Sequence, residues 1–227
     1  MSTVVLSGSL GSTARIWEGQ DPALAGETVV RMEHPGHGRA PLTEGRDVDD
    51  LARRVLESVD GSFSFVGLSL GGCVGLRIAL DAPARLDRLV VACTVTQFGD
   101  PAQWLERAQT VRADGLEPIV DAILGRWFTP RFGRVSWYRE MILSTDPEGY
   151  ARCCEALARW DVREELGAIT TPTLVIAGAE DPTAIPAEME QLAASIPGAR
   201  FEVIDEAAHI VPAEQPHAFN RLLEEHL

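Results

Sequence analysis

The sequence predicts an α/β fold: a mostly parallel, doubly wound sheet with a helical segment inserted into it. Three observations predict it. Short strand-length runs alternate with stretches of helical spacing from Thr3 to Cys93, and again from Thr173 to the C-terminus. The run Arg88 to Cys93 is apolar at every position after its arginine, as in strands buried on both faces of a parallel sheet. Between Phe98 and Leu166 no strand-like run occurs, and the apolar residues recur at helical intervals. The expected division is a core of residues 1–97 and 167–227, with a helical cap at 98–166 inserted in it.

In chain order, Thr3 to Leu6 is the first strand and leads into a small-residue loop, Ser7-Gly8-Ser9-Leu10-Gly11-Ser12. Thr28 to Glu33 is the second, ending in the turn sequence His34-Pro35-Gly36-His37-Gly38. From Asp47 onward, Val48, Leu51, Ala52, Val55, Leu56 and Val59 line one face of an amphipathic helix. The run Phe63 to Val66 is a strand, and Cys73 to Leu80 has helical spacing with small residues where the helix would press against the sheet. In the inserted segment, helices are expected around Trp104-Leu105, Leu116 to Phe128, Trp137 to Leu143 and Tyr150 to Trp160. Asp100-Pro101 and Asp146-Pro147 read as helix starts, an acidic N-cap followed by proline at the first helical position. Thr173 to Ala177 and Arg200 to Ile204 resume the strands; Glu188 to Ile196 and Ala213 to Leu227 are the intervening and closing helices.

At 227 residues with 45% hydrophobic content, the chain can bury a sizeable core as one large domain or one domain with an insertion. Its 34 acidic and 20 basic side chains give a formal charge of -14, which argues against nucleic acid or an anionic membrane as partner. No run approaches the roughly 20 apolar residues of a membrane span and the N-terminus has no signal-like stretch, so a cytoplasmic location is expected. Cys73, Cys93, Cys153 and Cys154 have no Cys-x-x-Cys spacing and read as reduced, mostly buried thiols. Oligomeric state is left open.

Gly67-Leu68-Ser69-Leu70-Gly71 lies between a strand and a helix, the setting in which Gly-x-Ser-x-Gly forms a nucleophile elbow. Serine at its free pKa is a poor nucleophile and needs a base, which in turn needs an orienting acid. Asp181 and His209 each follow a late strand, and the order Ser69, Asp181, His209 is that of nucleophile, acid and base in α/β-hydrolases. Glu180 competes with Asp181 for the acid position; His217 reads as solvated on the closing helix. The tetrahedral oxyanion needs two preorganised donors, assigned here to the backbone amides of Leu70 and, in the first loop, Leu10. That loop lacks the glycine and lysine pattern of a phosphate cradle. His34 and His37 invite a metal reading, but flanking Pro and Gly fit a tight turn better; no metal or cofactor is expected.

With these residues in place, the chain resembles the 3-oxoadipate enol-lactonase family of α/β-hydrolases. The resemblance rests on Leu6 to Gly11, Gly67 to Gly72, Arg126-Trp127-Phe128-Thr129-Pro130, Glu148 to Ala151 with Cys153-Cys154, and Thr173 to Pro182. It covers nearly the whole chain and implies cofactor-free hydrolysis of a small anionic enol-lactone in aromatic catabolism. Family members have an additional antiparallel strand pair before the strand that starts here at Thr3, which implies that the pair is missing. They also more often have an Asp and an Arg ahead of Gly-His-Gly, where this chain has His34-Pro35.

Arg126, Arg131 and Arg134 flank Trp127 and Phe128 in an otherwise acidic protein, and a guanidinium can grip a carboxylate bidentately. Arg126, Arg131 and Trp127 are therefore the candidate substrate-binding residues for a small-molecule substrate. Two alternatives stay open: an enzyme of the same fold acting on another ester, thioester or carbon-carbon bond, and a non-catalytic ligand receptor.

Overall fold

The computed structural model describes residues 1–45 and 47–227. Six strands, β1 (Thr3–Ser7), β2 (Thr28–Met32), β3 (Phe63–Leu68), β4 (Leu86–Ala92), β5 (Thr173–Gly178) and β6 (Arg200–Ile204), form one sheet in the order β2-β1-β3-β4-β5-β6. Every neighbouring pair is parallel, so all six carboxyl ends lie along the same edge. The chain steps from β1 outward to β2, then returns to place β3 on the other side of β1. The ends of β1 and β3 therefore flank a topological switch point, where a crevice opens because the two connections leave in opposite directions.

Every residue of β3 and β5 is buried, which explains their nearly continuous apolar texture, interrupted only by Ser64 and Thr173. β2 and β6, at the two edges, keep partly exposed residues. Helix α1 (Val48–Ser58) is capped by Asp47, whose side chain accepts the Asp50 amide, and presents Val48, Leu51, Ala52 and Val55 inward. Helix α2 (Leu70–Asp81) follows β3 directly and is buried along most of its length.

Between β4 and β5 the chain runs through α3 (Pro101–Asp114), α4 (Val120–Trp127), α5 (Val135–Leu143) and α6 (Pro147–Arg159). Both Asp-Pro starts form as expected: Asp100 accepts the Ala102 amide at 2.9 Å and Asp146 the Gly149 amide at 2.9 Å. α3 packs on α6. Trp160 is buried and donates its indole N–H to the Val95 carbonyl at 2.9 Å, fastening this segment to the end of β4.

After β5 comes α7 (Pro186–Ser195), and the closing segment, expected as one helix, is two: α8 (Val211–Glu214) and α9 (Pro216–His226). Pro216 has no N–H to continue the ladder to the Pro212 carbonyl. Gln20 supplies the missing donor, its side-chain amide reaching Pro212 O at 3.0 Å. All four cysteines are free and buried, and among the described residues no helix is long and apolar enough to cross a membrane.

Candidate active site

Ser69 sits at φ 56° and ψ -114°, between the last residue of β3 and the first of α2. A non-glycine residue held there is strained, and the strain turns the chain sharply enough to lift the hydroxyl out of the sheet. The Ser69 amide bonds the Ala92 carbonyl at 2.8 Å, so β4 anchors the turn. Glycines make it possible: a Cβ on Gly67 would stand 2.2 Å from the Gly71 carbonyl oxygen, and one on Gly71 2.0 Å from that of Ser7.

Beyond β5, Asp181 is 3% exposed, and beyond β6, His209 is equally buried. The His209 Nδ1–H donates to Asp181 Oδ2 at 2.8 Å, which leaves Nε2 as the free nitrogen of the ring. The other carboxylate oxygen accepts the Thr183 amide at 2.8 Å, fixing the plane of the acid. Glu180, the rival acid, points outward and pairs with Arg131. Cys93, at φ 47° after β4, completes a buried group with Asp181 and His209 whose ligand-type atoms lie within 4.8 Å of one another. Burial, and then the Asp181 charge, push its thiol well above the ordinary range, so it faces the carboxylate as a neutral S–H. The carboxylate and imidazole are already committed to each other.

The loop after β1 lies across the switch point from the elbow. Its Gly8 carbonyl accepts the Gly71 amide at 3.1 Å. The turn after β2, read from sequence as a turn only, holds this loop at both ends. His34 Nε2–H donates to Gly8 O at 2.9 Å, and His37 Nε2 accepts the Gly11 amide at 3.0 Å. His37 can accept there only as the Nδ1–H tautomer, and Nδ1 accordingly donates to the Pro35 carbonyl at 3.0 Å. Burial lowers both pKa values, to about 4 for His34 and about 3 for His37, so both rings are neutral. Between the clamped ends stand Ser9 and Leu10. Among the described residues, the Leu10 and Leu70 amides have no protein acceptor, as donors reserved for a ligand oxygen would not.

Ser69 and His209 open into one small cavity of about 40 Å³. Leu10 and Ser9 line its floor; Trp127, Arg126, Tyr150 and Phe98 line the side formed by the inserted helices. Tyr150 also stacks on His37, with ring centroids 6.5 Å apart. Gly36 and Gly149 allow this approach, since a Cβ on Gly149 would stand 2.5 Å from the Pro35 carbonyl oxygen.

The sequence-based binding set divides here. Arg126 and Trp127 reach the cavity. Arg131, expected beside the substrate, does not line it: exposed after the end of α4, it pairs with Glu180 on the outer surface. Arg134 lies against Phe132, outside the cavity. Arg107, not anticipated, lines the cavity and stacks over Trp104 at 4.6 Å. Its signal was the spacing from Trp104, which puts the two on the same face of α3. Burial first, then the neighbouring Arg107, lower the Arg126 pKa, and neither arginine has an acidic partner among the described residues. Of the four tryptophans in the inserted segment, Trp104 and Trp127 line the cavity, while Trp137 and Trp160 pack elsewhere.

A strained serine, an imidazole oriented by a carboxylate and two free amides are the parts that acyl transfer requires. Comparison with known proteins points the same way. Residues 4–222 match the alpha/beta hydrolase family. The chain is 38% identical to 3-oxoadipate enol-lactonase 2 of Acinetobacter baylyi, over 97% of this chain and 86% of that one. Among solved structures, the enol-lactonase from Burkholderia xenovorans LB400 superposes with a TM-score of 0.95 at 34% identity, covering 99% of this chain and 90% of that one. A hydrolase from Pseudomonas aeruginosa PA01 gives 0.94 at 37% identity, covering 99% and 89%. The chain therefore belongs to the alpha/beta hydrolase family and, within it, stands with the 3-oxoadipate enol-lactonases.

Proposed function

We propose that the chain opens a small anionic lactone, of the 3-oxoadipate enol-lactone type, by serine catalysis. The observation that carries the anionic part is the pair Arg107 and Arg126, two guanidiniums without acidic partners among the described residues, facing the same small cavity as Ser69 in a protein of net charge -14. An uncompensated pair of cations in a partly dry cleft is costly unless a ligand supplies the counter-charge. Relatives named for an enol-lactone substrate at 38% and 34% identity support the same reading.

In this mechanism Ser69 Oγ attacks the lactone carbonyl while His209 Nε2 takes its proton, and Asp181 stabilises the imidazolium that forms. The carbonyl oxygen becomes an oxyanion held by the Leu10 and Leu70 amides. Collapse breaks the ring carbon-oxygen bond, and His209 returns the proton to the departing enol oxygen. Because the leaving group is part of the ring, it remains tethered to the acyl-enzyme. A water activated by His209 then cleaves the ester, and the product carries one carboxylate more than the substrate. Two arginines suit such a product better than one. The inserted segment 98–166 acts as the cap that selects the substrate, and the four free thiols support a reducing, cytoplasmic location.

The test sets an anionic enol-lactone beside a neutral aryl ester of similar size. Arg107→Ala and Arg126→Ala should each raise KM for the lactone about tenfold, as loss of a charge-assisted contact does, and leave aryl ester KM nearly unchanged. Preference for the aryl ester with no effect of either substitution would reduce the assignment to a general esterase.

A further inference from the structure

Glu214, the last residue of α8, joins the loop that carries His209 to the cap. One of its carboxylate oxygens accepts both the Thr129 amide at 3.0 Å and the Thr129 hydroxyl at 2.8 Å. The other accepts the Ala208 amide at 2.6 Å, one residue before His209. Beside it, the Ile210 amide bonds the Trp127 carbonyl at 3.0 Å, so the residues on both sides of His209 are tied to the segment that follows Arg126 and Trp127. An ionised carboxylate has four acceptor sites, and here three are filled by protein donors from two elements far apart in sequence. Charge-assisted bonds of this kind are about twice as strong as neutral ones.

We infer that Glu214 is a positioning residue: its carboxylate sets the placement of His209 and registers it against the cap wall that contacts the substrate. It touches neither substrate nor reacting atoms. Its effect passes through the Ala208 amide to the imidazole, and through Thr129 to Trp127. Gln at this position keeps the volume but puts an N–H₂ where one of the two donor groups must be accepted, so one side of the clamp opens. A displacement near 1 Å at a catalytic group can cost on the order of a hundredfold in rate.

The inference rests on His209 being the general base of the proposed reaction, and the experiment separates the two. Glu214→Gln, Thr129→Val, their double variant and His209→Ala are assayed on a neutral aryl ester and an anionic lactone, with the pH profile of kcat/KM recorded for each. His209→Ala should abolish turnover; full turnover would overturn both readings. Glu214→Gln should lower kcat on both substrates by about ten- to a hundredfold and move the acid limb of the profile. Thr129→Val removes only the hydroxyl bond and should give a smaller loss, two- to fivefold as an order of magnitude, weighted toward the lactone. The double variant should be no worse than Glu214→Gln, because both act through one clamp. If Glu214→Gln lowers only the melting temperature, with kcat and the acid limb unchanged well below it, the residue is structural and the inference fails. Should Glu214→Gln not fold, Thr129→Val decides, and unchanged kinetics on both substrates would overturn it.

Discussion

The sheet edge and the inserted helices face each other across one cavity, and they are held by different forces. On the sheet side every functional group follows a strand: the Leu10 loop follows β1, Ser69 follows β3, Asp181 β5 and His209 β6. Their positions are fixed by backbone hydrogen bonds and by glycines that admit no other side chain, as at Gly67 and Gly71. On the helical side Arg107, Arg126, Trp127 and Tyr150 project from α3, α4 and α6, whose placement depends on side-chain packing and a few fastening points such as Trp160 and Glu214. The first kind of support permits almost no variation and suits chemistry that needs sub-ångström geometry. The second can be re-lined by exchanging a few side chains, and suits a change of substrate without a change of reaction.

This contrast can be broken at several points. The largest effect should come from the sheet edge: Ser69→Ala should lower kcat on every substrate by about 10⁵-fold or more, with the far-ultraviolet spectrum and melting temperature preserved. Equal loss on lactone and aryl ester is the signature of a core residue, whereas the arginine substitutions of the cap should divide the two substrates. A loss from Ser69→Ala confined to one substrate would mean that a second nucleophile serves the other.

A smaller effect should appear in stability against pH. His34 and His37 clamp the loop after β1 as neutral rings with lowered pKa values of about 4 and about 3. In the unfolded chain they titrate near the ordinary value of about 6.5, so below that pH the unfolded state binds more protons. Their contribution is present above about pH 6.5 and declines as the pH falls toward the folded values. Urea titration at pH 7 and pH 5 should show a loss of about 2 kcal/mol for each buried histidine at the lower pH. If His37→Asn left that decline unchanged, the ring would not be the source.

The smallest effect is expected at Arg131, whose exposed pairing with Glu180 is of the kind worth little. Arg131→Ala should change kcat and KM by less than twofold on either substrate. A rise in lactone KM matching that of Arg126→Ala would move the anion site to the outer end of the cap.

Much of the sheet edge was legible because its chemistry is written locally. A serine between glycines, set between a strand and a helix, and an acid and a histidine each just past a strand allow few other readings. The cap was legible as helices but not as a binding surface. Arg126 and Arg131 are both exposed-looking cations beside aromatic residues in sequence, yet one lines the cavity and the other pairs with Glu180. Arg126 lies within α4, whereas Arg131 lies past its end and meets Glu180, a residue distant in the chain. Arg107 and Glu214 were hidden for the same reason: each makes its decisive contact with elements far away in sequence.

The sequence by itself determined the parallel sheet, the strand-end placement of Ser69, Asp181 and His209 in that order, and the helical nature of the insertion, because periodicity, turn residues and strand-end placement are local properties of the chain. Tertiary structure alone decided that His34 and His37 brace the loop after β1, that Arg107 joins Arg126 in the cavity while Arg131 stands outside it, and that Glu214 ties Ala208, the residue before His209, to Thr129. These are contacts between segments distant in the chain, and they exist only once the sheet has brought its carboxyl ends to one edge and the helices have closed over it.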